Sequence, residues 1–122
     1  MVAHRIGIVG TGFIARGLYL HLLASPRFVP AAVLTRRPFN DLRDFPASNV
    51  RFTHSVEELV ETADVVFECS GDVIHAVEVA TVAAMFEKPM VTLNAEFHVT
   101  CGSAFVDRML LTERITIKPP RR

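Results

Sequence analysis

An apolar run, Ile6-Gly7-Ile8-Val9, leads directly into Gly10-Thr11-Gly12-Phe13-Ile14-Ala15 and then into a helical pattern that ends near Ala24. This constrains the fold tightly, because strand, sharp turn and helix must follow one another with no linker. The residue types suit a phosphate-binding turn: Gly10 permits the bend, Gly12 lets backbone approach a pyrophosphate, and Ala15 lets the helix sit close on the strand. The helix start then offers unpaired N–H groups to an anion. Glycine pairs also make ordinary turns, and it is the strand before and the helix after that favour the ligand reading.

Further along, Phe28 to Leu34 reads as a second strand, near-continuously apolar, as suits a sheet covered on both faces. Residues 36–49 carry two prolines, mixed charges and no period, which predicts a loop with one short helical turn. Val50 to Thr53 is a brief third strand, and Ser55 with Glu58 makes a capping box for a short helix whose inner face is Val56, Leu59, Val60 and Ala63. A fourth strand, Val65 to Cys69, stops at Ser70-Gly71-Asp72. A helix from Val73 to Phe86 follows, then a fifth strand from Met90 to Leu93. Thr100 to Leu111 has a helical pattern, and Ile115 to Lys118 reads as a sixth strand before Pro119-Pro120. Strands alternating with helices define an α/β fold: a doubly wound parallel sheet of about six strands with helices on both faces. A ligand then lies at the carboxyl ends of the strands, where the loops beginning at Gly10, Thr35, Ser70 and Asn94 converge.

With 122 residues, half of them apolar, the chain can bury one core but not two. Residues 1–118 are expected to form a dinucleotide-binding domain of the Rossmann type and 119–122 a tail or linker remnant. Thirteen basic and thirteen acidic side chains leave no net field to favour nucleic acid or an anionic membrane. No stretch approaches the roughly eighteen apolar residues of a membrane span. Cys69 and Cys101 lack metal-type spacing, as do His4, His21, His54 and His98, so no metal is expected and a reduced, cytoplasmic setting fits. Cys69 reads as an inert packing residue and Asp72 as a helix cap. Phe13, Phe67 and Phe86 read as core first, with Phe13 also able to touch a cofactor edge.

The dinucleotide-binding fingerprint places a carboxylate about twenty residues beyond the glycines, where it takes the ribose 2′-hydroxyl of NAD. This chain has Thr35-Arg36-Arg37 there. A 2′-phosphate would be repelled by a carboxylate and held by a hydroxyl with guanidinium groups, so NADP is expected in preference to NAD. The alternative is that both arginines are solvated loop charges. Expected cofactor contacts are Gly10, Thr11, Gly12, Phe13, Ile14, Thr35, Arg36, Arg37, Ser70, Gly71 and Asn94.

Ile6 to Gly17, Val65 to Ser70, His75-Ala76 and Lys88-Pro89-Met90-Val91 together resemble the nucleotide-binding domain of the glucose-fructose oxidoreductase/inositol dehydrogenase (Gfo/Idh/MocA) superfamily. Met90 to Glu96 is closer to homoserine dehydrogenase-like proteins, particularly those bearing a C-terminal SAF domain. The resemblance implies a second, substrate-binding domain absent from this chain, which would then be the cofactor-binding part of an oxidoreductase and inactive alone. It also leaves a homo-oligomer open. Glu87-Lys88-Pro89 spells a motif of the superfamily's sugar dehydrogenases, but it precedes the fifth strand instead of following it, so Lys88 is expected at the opposite edge of the sheet. The matching position is Asn94, and Ala95 stands where homoserine dehydrogenases carry lysine. Candidate acid/base groups are Glu96, with a solvated acid near a helix start as its alternative, and His75, which could equally be structural. Other readings are a non-catalytic NAD(P)-binding or sensing module and a reductoisomerase-like member of the same subgroup.

Overall fold

The computed structural model describes residues 3–46 and 50–93 and the backbone of 117–118. The elements are β1 (His4–Val9), α1 (Phe13–Leu23), β2 (Phe28–Leu34), a 3-10 turn (Phe39–Asp41), β3 (Arg51–Thr53), α2 (Val56–Thr62), β4 (Val65–Glu68), α3 (Val73–Met85), β5 (Met90–Thr92) and β6 (Ile117–Lys118). All strand pairs are parallel, in the order β3-β2-β1-β4-β5-β6. This is the doubly wound sheet expected from the alternation of elements. The helix expected at 100–111 lies outside the described residues.

Period-two alternation sends successive side chains of β1 to opposite faces. Ile6 and Ile8 pack with Ala15, Tyr19 and Leu22 of α1, together with Val33 and Phe45. Val9 packs on the other face with Leu59 and Val60 of α2 and Ala76, Val79, Ala80 and Ala83 of α3. The two layers differ in texture. The α1 side is built on aromatic contacts, with Tyr19 and Phe45 ring centres 5.2 Å apart; the α3 side is mainly alanine and valine, with Leu34, Leu59 and Met90. Phe67 and Phe86 pack against these clusters as expected, but Phe13 does not: it is 80% exposed. As the first residue of α1 it stands at the rim of the sheet, where no facing layer reaches it.

Pro30 in β2 is accommodated by a bulge. Ile6 pairs with Pro30 but Gly7 with Ala32, leaving Ala31 as the extra residue. Because β3 pairs with β2 only from Ala32 onward, the missing proline N–H falls where β2 has no second neighbour. At the opposite end of the sheet from the strand carboxyl termini, Lys88 Nζ donates to the Ala63 carbonyl at 2.6 Å, in the structural place expected of it.

Candidate functional site

A cleft of about 270 Å³ opens at the carboxyl edge of the sheet, lined by the glycine turn (Gly10, Thr11, Gly12), Arg16, the residues Leu34 to Arg37, Ser70 and His75. It forms where the strand order reverses, between β1 and its neighbours β2 and β4, the place at which such sheets bind ligands. Of the expected contacts, Gly10, Thr11, Gly12, Thr35, Arg36, Arg37 and Ser70 meet there, together with His75. Phe13, Ile14 and Gly71 are not in its lining, and Phe13 faces an adjoining groove with Arg16, Gly17, Leu20, Asp44 and Pro46. Asn94 and Glu96 lie outside the described residues.

Gly10 adopts φ +110°, and a Cβ placed on it would stand 3.1 Å from the Cys69 carbonyl oxygen. The turn is therefore seated directly against the end of β4. At Gly12, by contrast, a Cβ would meet nothing within 4 Å, so this side is open to a ligand. The three α-helices also start differently. Ser55 Oγ accepts from Glu58 N–H at the start of α2, and Asp72 Oδ1 accepts from His75 N–H at the start of α3. The start of α1 has Gly12 as its cap, no side-chain hydrogen bond and no acid in its first turn. Its leading N–H groups are left for an anion.

The loop after β2 is held from several sides. Thr35 is buried, and its N–H donates to Thr53 O at 3.0 Å. Its hydroxyl accepts from Arg37 N–H at 3.1 Å, and its carbonyl accepts from His54 Nδ1 at 2.8 Å. The His54 ring is itself stacked on Phe39 at 4.1 Å. Arg37 is committed to its own loop: it donates to the Asp41 carbonyl, reaches Asp44 at 3.1 Å and Thr11 Oγ1 at 3.5 Å, and pairs with the Asp41 carboxylate at 3.7 Å. Arg16 shares Asp44 at 2.9 Å. The bond from Arg37 holds the Asp44 carboxyl below its ordinary range. Arg36 stands apart from this cluster, 65% exposed at its side chain, with an ion pair to Asp72 Oδ2 at 3.1 Å. The two arginines, indistinguishable in the sequence, are thus a fixed strut and a reaching arm. Both are ion-paired.

Glu68, at the end of β4, was not singled out by the sequence and is fully buried. Its Oε2 accepts from Ser70 N–H at 2.8 Å and from the Ser70 hydroxyl, while Oε1 accepts from Thr92 Oγ1 at 2.8 Å. This carboxylate ties the turn that lines the cleft to the neighbouring strand β5. The adjacent Cys69 thiol is pushed up to about 12 by burial and by Glu68, which agrees with an inert packing role. His75 is buried at the cleft, with Nδ1 3.2 Å from Glu78 Oε1.

The parallel order, the open glycine turn and the uncapped helix start make this a dinucleotide-binding domain of the oxidoreductase type. Residues 5–89 match the family described as NADP oxidoreductase, coenzyme F420-dependent, and the chain belongs to that family. Among solved structures it is similar to homoserine dehydrogenase of S. aureus (TM-score 0.75, 18% identity, covering 97% of this chain and 33% of that one). It is also similar to homoserine dehydrogenase of Thiobacillus denitrificans (TM-score 0.83, 17% identity, 97% and 29%). A third is myo-inositol dehydrogenase of Lactobacillus casei in complex with NAD(H) and myo-inositol (TM-score 0.75, 21% identity, 95% and 36%). At these identities the likeness is one of fold, and the chain spans about a third of each of those proteins. No curated protein matches the chain. Among the described residues no helix is long and apolar enough to cross a membrane.

Proposed function

We propose that residues 1–118 form the NADP-binding domain of a dehydrogenase that moves a hydride to or from a small polar metabolite, with a second domain supplying the substrate contacts. The observation that carries this reading is Arg36, an exposed guanidinium at the carboxyl end of β2, where an NAD-preferring site presents a carboxylate. The bound nicotinamide would supply the hydride chemistry, and the chain supplies binding and orientation. The N–H groups at the start of α1 and the open side of Gly12 suit the pyrophosphate. Arg36 takes the 2′-phosphate, and Arg37 holds the loop that presents it. Asn94 is assigned to the nicotinamide end, with His75 and Glu96 as candidate acid/base groups. The family's name also pairs NADP with coenzyme F420, which makes that coenzyme a second candidate for the hydride partner.

The test is a calorimetric titration with NADPH and NADH separately. NADPH is expected to bind more tightly, and Arg36→Ala to weaken NADPH roughly tenfold or more, the worth of a charge-assisted hydrogen bond, with a much smaller effect on NADH. Equal losses for the two nucleotides would overturn the NADP assignment. Assays of NADPH consumption with small hydroxy or carbonyl metabolites and with F420 then separate the two hydride partners.

A further inference from the structure

The two oxygens of Asp72 do different work. Oδ1 accepts from His75 N–H at 3.1 Å and caps α3, whereas Oδ2 holds Arg36 Nη2 at 3.1 Å. The second contact joins the loop after β2 to the start of α3. Arg36 lines the cleft, and Asp72 lies between the lining residues Ser70 and His75, so the ion pair links two of its walls. The backbone bond from His75 and the Arg36 charge together hold the Asp72 carboxyl below its ordinary range, so it is anionic at neutral pH. The cap alone does not require that charge, since asparagine and serine cap helices as well.

We infer that Asp72 is a specificity-setting residue: an internal counter-anion that occupies Arg36 and that a 2′-phosphate must displace. The inference rests on the assignment of Arg36 to the 2′-phosphate. A phosphate monoester carries between one and a half and two negative charges at neutral pH, by about the amount seen on phosphorylated side chains. It therefore competes with Asp72 for the guanidinium and is also repelled by it. A 2′-hydroxyl does neither to a comparable degree. Asp72 thus lowers NADPH affinity more than NADH affinity and limits how far the site favours NADP. Arg37 is under no such control, because its donors are already spent on Asp41, Asp44 and Thr11.

The experiment is a double-mutant cycle read by calorimetric titration with NADPH and with NADH. Asp72→Asn keeps an oxygen for the cap and removes the charge, and Asp72→Ser provides the same test with a hydroxyl cap should the first variant fold poorly. Either is expected to raise the ratio of NADPH to NADH affinity roughly two- to fivefold, the range set by an exposed ion pair. In an Arg36→Ala background the same change should raise the ratio by less, because only the direct repulsion between Asp72 and the 2′-phosphate is left to relieve. If Arg36→Ala lowers the ratio but neither Asp72 variant raises it, Asp72 is a cap alone and the inference fails while the NADP assignment stands. If Arg36→Ala leaves the ratio unchanged, the assignment and the inference fail together.

Discussion

Gly7 on β1 lies beneath Ala63 at the end of α2 so closely that a Cβ on the glycine would stand 2.9 Å from the Ala63 Cβ and 3.2 Å from Leu59 Cγ. Both neighbours are fully buried, so neither can swing into solvent. Gly7→Ala should destabilise the domain by about 1–3 kcal/mol through overpacking, and Gly7→Val by more. Urea unfolding followed by circular dichroism measures this. A stability unchanged by Gly7→Val would mean that α2 is not seated on β1 as described.

Removing the Glu68 side chain takes away the carboxylate that accepts from the Ser70 N–H and from the Ser70 and Thr92 hydroxyls. Glu68→Ala is therefore expected to cost about 2 kcal/mol or more and to weaken both nucleotides, because the Ser70 turn loses its tether. Glu68→Gln keeps an amide oxygen for Ser70 and should recover part of each loss. Unfolding and titration on the same samples test the pair, and equal damage from both variants would argue against this network.

Acid should unfold the domain through identifiable groups. Asp64 accepts from Arg5 N–H at 2.8 Å, and this bond lowers its pKa, as the partners already named do for Asp44 and Asp72. A carboxyl whose folded pKa lies below its unfolded value of about 3.9 contributes stability that is present above that value and lost as pH falls through the folded one. The denaturation midpoint is expected to hold steady above about pH 5 and to fall below about pH 4. Asp64→Asn should flatten that acid limb and lower the neutral plateau.

Cys69 should resist alkylation. With its thiol at about 12 in place of an ordinary 9.0, its thiolate at pH 8 is on the order of a thousandfold scarcer than in an unfolded chain. Iodoacetamide labelling mapped by mass spectrometry should leave Cys69 unmodified under native conditions and label it readily in denaturant. Rapid native labelling would contradict the raised thiol pKa.

Much of this architecture is legible in local pattern. The strand Phe28–Leu34 and the cap from Ser55 to Glu58 follow from apolar runs and a capping box, since the forces involved act within a few residues. Glu68 was not legible, because its partner Thr92 is 24 residues away and meets it only once β4 and β5 pair. Nor could sequence separate Arg36 from Arg37, whose roles depend on which of three aspartates each loop brings near. Phe13 misled for the same reason: hydrophobicity marks a residue that can be buried, and only the sheet's edge decides whether anything covers it.

The central position of β1 bears on how the site comes into being during synthesis. The glycine turn is made early, but its second wall is the end of β4, seated so close to Gly10 that a Cβ there would stand 3.1 Å from the Cys69 carbonyl oxygen. Until β4 has left the ribosome, the turn has neither that support nor the Ser70 side of the cleft. A nascent chain halted after β3 would hold the glycine signature and the loop after β2 but not the Ser70 and His75 wall of the cleft. A ligand that fills the cleft therefore reaches all of its walls only in chains that have already joined their two halves.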